Sequence, residues 1–397
     1  MAFSFRQPVR PPDQMIDLVE EYWNLEVIER IYERKSLVPD DFRDAFHQRF
    51  GRRGQLLLMG SGRRALTTLL RAAAHGSTRR RVLLSSFNCR VVREAVAKAG
   101  LAVDTFDFSA SNGRIDWGAI GETLRDEHLA LVVPHFFGIP TDFGAILPAA
   151  RRKNVLIFED CAHALGASIS GTPAGQMGDA AFFSFNYDKP ISLAGGGALL
   201  INNPAIKIDK ESVEALPPRR LELGQFRKMA STLRYGRKRR ERRSLITRIG
   251  AKLHAMPPLP AGIGLLRATV GVWQLERYDE VRKQRDFNAR TLSEPLGRLS
   301  WHVAKNVSPA YLKLRLMVDP DDAARAVLEC RQHGISVANS NWPRLIAATD
   351  HERPREFAYR AAVFGLEIPV HQNLSPAHVA QIASAFAAAK APVWPGD

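Results

Sequence analysis

The sequence has few cysteines, only Cys89, Cys161 and Cys330 in 397 residues. An odd, sparse set without paired spacing excludes a disulfide-stapled scaffold, and it fits reduced thiols and a cytoplasmic location. No uninterrupted apolar run reaches transmembrane length. The opening residues, MAFSFRQPVRPPDQ, show no apolar stretch of a secretory signal. No repeat at a period of roughly 20–50 residues is evident, so solenoid and propeller architectures are not expected. Disorder is excluded by a hydrophobic content of 45%. The length suits one large domain with a smaller one beside it.

Positive charge is in excess, and it is local. The chain holds 56 Lys+Arg against 41 Asp+Glu, a formal net charge of +15. Arg219 to Lys252 alone carries 13 basic residues and two acidic ones, including the run R-Y-G-R-K-R-R-E-R-R. Leu245, Ile249 and Leu253 then fall four apart, with Arg248 and Lys252 on another helical face. Three readings stay open. The segment is a solvated basic insertion, or a surface for an anionic membrane or lipid-linked substrate. The least favoured reading is a seat for nucleic acid or an acidic protein.

Chemistry concentrates between Val155 and Ile201. An apolar run, Val155 to Phe158, ends at Glu159 and Asp160. A second, Ala180 to Phe183, ends at Ser184. Lys189 follows, then Gly195-Gly196-Gly197 and a third apolar run, Ala198 to Ile201. Together with runs near residues 56, 82, 102 and 130, these read as seven strands alternating with helices. That pattern predicts an α/β fold with a mostly parallel sheet covered on both faces. Groups at the carboxyl ends of such strands share one crevice. Upstream, Gly60-Ser61-Gly62-Arg63-Arg64 follows a strand and opens a helix running to Ala74. Its first-turn N–H groups and dipole make a phosphate seat, and an anion there would offset the two arginines.

The order E-D-C-A-H-A-x-G, then G-D-A-A-x-F-S-F-x-x-x-K, then a Gly-rich turn resembles the DegT/StrS-type sugar aminotransferases, which have the aspartate aminotransferase-like fold (fold type I) of enzymes dependent on pyridoxal phosphate (PLP). The resemblance covers roughly residues 55–203 and 261–390. It implies an arm over 1–54, a large PLP-binding domain over 55–290 interrupted by the basic insertion at about 204–260, and a small α+β domain over 291–397. It implies that Lys189 bonds PLP as a Schiff base and that Asp160 pairs with the pyridinium nitrogen. His163 would contact or orient the cofactor, and Ser61, Gly62, Arg63, Arg64 and Ser184 would hold its phosphate. Either Phe87 or Cys89 would stack on its ring, Cys89 occupying the register where the family has an aromatic side chain. No metal is implied.

The resemblance further implies glutamate as amino donor, a nucleotide-linked keto-sugar as acceptor and a homodimer. The lysine at 189 separates the chain from related sugar dehydratases, which carry histidine there. Three departures favour a different PLP reaction or a non-catalytic scaffold. They are the altered stacking register, Ala261 to Leu266 in place of an Asn-bearing turn, and Gly195 in place of a glutamate. Asp188 also stands where the family has a neutral residue, and it is expected to point away from Lys189. His135 reads as a hydrogen-bonded structural histidine, and Gly178-Asp179 as the turn into the next strand.

Overall fold

The structure, a computed structural model, describes residues 38–51, 53–108, 115–186, 188–213, 222, 224, 262–301, 303–339 and 365–391. The helical stretch expected near 15–34, all but two residues of the basic segment 219–252, and most of the loop expected at 339–345 lie outside the described residues.

Seven strands form where the apolar runs fall: β1 (Gln55–Met59), β2 (Arg81–Ser85), β3 (Ala102–Phe106), β4 (His128–Pro134), β5 (Leu156–Asp160), then β8 (Ala180–Ser184) and β9 (Gly197–Ile201). Between β5 and β8 lie the short strands β6 (Ser168–Ile169) and β7 (Thr172–Pro173). The main sheet has the order β1-β9-β8-β5-β4-β2-β3. β8, β5, β4, β2 and β3 pair in parallel, and β9 runs antiparallel to both β1 and β8. Six strands therefore end at one edge of the sheet, and the start of β9 meets them there.

Alternation along the strands fills both faces. Leu57 and Met59 of β1 face one way with Val82, Leu84 and Leu199. They pack against α1 (Gly62–Ala74) through Leu66, Leu69 and Leu70, and against α2 (Arg90–Lys98). Leu56 and Leu58 face the other way, with Ala181, Phe183, Ala198 and Leu200. That side is covered by the helix Pro39–Phe50, whose Phe42, Phe46 and Phe50 recur every four residues; Phe42 and Phe46 meet Phe185 and Phe183 edge to face, and Phe50 meets Tyr278. It is also covered by a helix at Leu265–Glu276. Leu83, Leu131, Val133 and Ile157 extend the same face toward the helices Trp117–Thr123 and Leu147–Arg152.

A second sheet builds the small domain. Strands Lys313–Met317 and Ala338–Asn339 flank Gly365–Pro369, all antiparallel. Helices Pro320–Gln332 and Pro376–Phe386 pack on it with the end of the long helix Tyr278–Ser293, around Leu292, Leu314, Leu316, Ile368 and Phe386. The segment entering this sheet docks on the large domain. Ala310 and Leu312 donate their N–H groups to the carbonyls of Gly138 and Phe137, in the turn after β4, at 2.8 and 2.9 Å. No helix among the described residues is long and apolar enough to cross a membrane.

Candidate active site

Two glycine-dependent close approaches shape the candidate phosphate seat. Ser61 caps α1, its Oγ accepting the Arg64 N–H at 3.1 Å. A Cβ on Gly62 would lie 3.0 Å from Ser184 Cβ, and one on Gly197 would lie 2.5 Å from the Gly62 nitrogen. The ends of β8 and β9 therefore press directly on the start of α1, and Ser184 stands beside its first turn. The two arginines contribute differently from the expectation. The Arg63 guanidinium pairs with Glu94 of α2 at 3.3 Å, and Arg64 is exposed.

Asp160 ends β5 and is buried, its Oδ1 accepting the Ala162 N–H at 3.1 Å. Burial pushes its carboxyl up, opposed by that hydrogen bond and by the positive charge of Lys189. A buried carboxylate in this condition suits a protonated ring nitrogen, which would supply the missing charge. The preceding residue, Glu159, is structural. It accepts the N–H groups of Gly175, Met177 and Gly178 at 2.8, 2.8 and 2.7 Å. His135 takes the Thr141 N–H on Nδ1, so its Nε2–H donates to Glu159 at 3.0 Å, as expected of a structural histidine. His135, Glu159 and Cys161 lie close enough to resemble a metal-ligand set. The carboxylate's four hydrogen bonds already account for that arrangement. Asp179 takes the Ile157 N–H and shapes the turn into β8.

Lys189 sits in the loop between β8 and β9. Gln274 exchanges two hydrogen bonds with the Ser192 backbone, and Arg267 donates to the carbonyls of Leu193 and Ala194. Ala194, Gly195 and Gly196 take positive φ of 54°, 120° and 96°, which lets the chain reverse into β9. The buried Lys189 amine lies 2.9 Å from His163 Nε2 and 3.0 Å from Asp188 Oδ2. The latter contact corrects the expectation that Asp188 points away. Burial would push its carboxyl up. The charges of Lys189 and Lys313 and the Lys189 hydrogen bond together outweigh that and hold it below the usual range. A partly buried carboxylate stays where its cations are.

Phe87 needs a second correction. It is fully buried among Phe108, Phe136, Phe137 and Trp301, with the Arg315 guanidinium 5.3 Å from its ring centroid, so it is core and not a stacking platform. Cys89, half-buried at the start of α2, packs against the core, and burial first, with the charges of Asp160 and Asp188 adding to it, pushes its thiol up. Sequence reasoning missed Lys313, Arg315 and Glu367 of the small domain. Glu367 pairs with Lys313 at 2.6 Å and with Arg315 at 3.9 Å. The signal available was a pair of cations two residues apart in an otherwise apolar strand.

The profile of the DegT/DnrJ/EryC1/StrS aminotransferase family matches residues 37–387. The chain belongs to this family. Among relatives of the DegT/DnrJ/EryC1/StrS group, a pleiotropic regulatory protein of Geobacillus stearothermophilus is 26% identical over 197 residues, 48% of this chain and 53% of that protein. A UDP-N-acetyl-3-dehydro-α-D-glucosamine 3-aminotransferase of Acidithiobacillus ferrooxidans is 30% identical over 145 residues, 36% of this chain and 39% of that one. The chain thus spans about half the length, or less, of these curated relatives. The fold is shared with the sugar aminotransferase CalS13 of Micromonospora echinospora, at TM-score 0.69 and 19% identity over 94% of this chain and 99% of that one. It is shared also with a Streptococcus pneumoniae structure in a PLP form, at TM-score 0.73 and 17% identity over 94% and 97%. The cofactor implied by this family is PLP. The glycine-lined seat at α1, the buried carboxyl of Asp160 and the buried amine of Lys189 fit its phosphate, ring nitrogen and aldehyde.

Proposed function

We propose that this chain is a PLP-dependent aminotransferase, moving an amino group from glutamate to a keto-sugar carried on a nucleotide. One observation carries the reading. The amine of Lys189 is buried, and the topology brings it to the carboxyl edge of the sheet, where Asp160 and the helix N-terminus at Ser61-Gly62 also lie. When bound, PLP supplies an aldehyde for a lysine amine and a ring that withdraws electrons from a bonded amino carbon. Asp160 would place negative charge at the ring nitrogen. Ser61, Gly62 and Ser184 would hold the phosphate. The Lys189 amine, once free, can take and return a proton at the substrate carbon. Phe137 lies beside the His163 ring, 6.1 Å between centroids.

The sugar-nucleotide acceptor is supported by the name of the Acidithiobacillus relative. The glutamate donor, a homodimer, a cytoplasmic location and an anionic surface met through residues 219–252 belong to the same proposal on family resemblance and charge. A second reading, a protein that keeps the fold without turnover, is favoured by the Asp188 carboxylate on the lysine amine, which opposes loading.

The deciding experiment is the visible spectrum of the purified protein with PLP, before and after glutamate, beside Lys189→Ala. A yellow band that shifts with glutamate and is missing in the variant supports the aminotransferase. No band with added PLP sinks it and favours the second reading. Nucleotide keto-sugars are then screened for return of the band.

A further inference from the structure

One of the two acidic residues in the basic segment, Glu222, is buried in the body of the protein. Its carboxylate accepts the Gly264 N–H at 3.0 Å and the Leu266 N–H at 3.1 Å. These groups open the helix Leu265–Glu276, and a helix start leaves such donors without partners of its own. Gly264 stands at the N-cap and has no side chain to take them. A Cβ there would lie 2.4 Å from Glu222 Oε2. The bare glycine therefore makes room for a carboxylate delivered from 42 residues earlier in the chain.

The same carboxylate is a counter-charge for Arg267. Arg267 is fully buried in the first turn of that helix, and burial draws its guanidinium below the usual range while the charge of Glu222 opposes this. Burial likewise pushes the Glu222 carboxyl up, opposed first by Arg267 and then by the helix N–H groups. Arg267 Nε and Nη2 donate to the carbonyls of Leu193 and Ala194 at 3.1 and 3.2 Å. Two turns on, along the same helical face, Gln274 holds both backbone groups of Ser192. Ala194 sits at φ 54°, a conformation its Cβ disfavours, so the reversal there needs an outside hold. Gly195 and Gly196 then donate to the carbonyls of Phe185 and Gly60 at 3.3 and 3.0 Å, the latter just before Ser61.

We propose that Glu222 is a positioning residue for Lys189, acting through Arg267 on the loop that carries the lysine. The inference rests on the reading of Lys189 as the cofactor lysine. A buried cation stripped of its counter-charge moves toward water or toward another anion, because burial penalises it. Either movement takes the guanidinium off Leu193 and Ala194. The Gln274 contact lies further along the helix and survives. What loosens is the stretch from Leu193 to Gly196, which fastens the lysine loop to the turn before α1.

The test is a double-mutant cycle on the full chain without PLP, read by backbone amide exchange and mass spectrometry. Glu222→Gln keeps an oxygen for the helix N–H groups and removes the charge, and Arg267→Gln removes its partner. Exchange over residues 189–196 should rise about tenfold in each variant, with β4 and β5 unchanged. The double variant should exchange no faster than the faster single one, because both changes break one connection. Effects that multiply to about a hundredfold overturn action through Arg267. Wild-type exchange in a folded Glu222→Gln protein, or an equal rise across the whole large domain, overturns the positioning role. Gly264→Ser is the second variant, for the case in which Glu222→Gln does not fold. The serine supplies its own cap and its Cβ displaces the carboxylate, so the helix is kept while the loop should loosen. A folded Gly264→Ser protein with wild-type exchange overturns the proposal.

Spectrophotometric titration then follows PLP itself, whose dissociation constant should rise about tenfold in Glu222→Gln. Unchanged binding with a loosened loop overturns the link to the lysine. If wild type takes up no PLP while exchange responds as expected, the cofactor reading fails and the hold of Glu222 on the loop stands.

Discussion

Glu159 and His135 are joined by a 3.0 Å hydrogen bond with neither side chain exposed to solvent. The same carboxylate receives three backbone N–H groups from residues 175–178. Glu159 therefore ties the strand that ends at Asp160 to the turn that leads into β8. Glu159→Ala should destabilise the fold by at least about 3 kcal/mol, since each buried N–H left unpaired costs about 1–3 kcal/mol. Urea unfolding of the purified variant measures this, and a loss below about 1 kcal/mol would show that water replaces the carboxylate.

The proposed phosphate seat depends on a missing side chain. A methyl group at residue 62 would stand 3.0 Å from Ser184 Cβ and 3.1 Å from the Phe183 carbonyl oxygen. Gly62→Ala should part α1 from β8 and weaken PLP binding about tenfold, or about 1.4 kcal/mol. Spectrophotometric titration with PLP gives the constant, and unchanged affinity would move the seat elsewhere.

Asp188 lies directly on the lysine amine. A carboxylate 3.0 Å from the amine favours its charged form. Asp188→Asn should shift the pH profile of PLP uptake to lower pH and speed uptake several-fold at neutral pH. Stopped-flow absorbance at a series of pH values decides this. A profile that does not move would mean that the carboxylate carries no weight at Nζ.

A pH-dependent contribution to stability lies away from the site, at Asp104. Hydrogen bonds from Arg81 first, then from His128, with the charges of Arg81 and Arg125, hold its carboxyl well below the usual carboxylate range. A carboxyl depressed in the folded state stabilises above its unfolded value near about pH 4, and that contribution fades as pH falls toward the folded value. Asp104→Asn should therefore cost about 1 kcal/mol at pH 7. The gap from wild type should narrow steadily below about pH 4. Denaturant melts at neutral and acid pH compare the two proteins, and a gap constant with pH would refute the ion-pair account.

Glu367 is the counter-charge for two cations, the partly buried Lys313 and the buried Arg315. Glu367→Leu should destabilise the small domain by about 3–5 kcal/mol, the usual cost of stranding a buried charge. Replacing Arg315 by Met in the same chain should recover part of that loss in thermal melts. No recovery would indicate that shape, not charge, sets the cost.

The strands were legible because each is a short apolar run closed by turn residues, and β1 to β5, β8 and β9 lie where those runs fall. Ser61, Asp160, Ser184 and Lys189 were legible for a related reason. Each ends or follows a strand, so the sheet alone delivers them to one edge. Lys313 and Glu367 were not, because their place depends on how the small domain docks, and no local pattern encodes that. Between Phe87 and Cys89 the sequence left a choice that only packing resolves. Four aromatic neighbours and a guanidinium claim Phe87, leaving Cys89 the less buried of the two. The direction of Asp188 was misjudged from local chemistry, where a charge beside the lysine looked unfavourable, without counting the second cation that Lys313 brings.

The reversed strand β9 has a consequence for which changes in length the chain can tolerate. Residues 185–196 leave and re-enter the same pair of strands, and β9 is paired on both sides, Leu199 with Phe182 and with Leu57. One residue inserted in this loop would either swell out at the lysine or push β9 along both neighbours at once, turning Leu199 and Leu200 to opposite faces. The lysine's position is therefore tied to an unchanging residue count, and insertions should be harmful here even when their residues are small and polar.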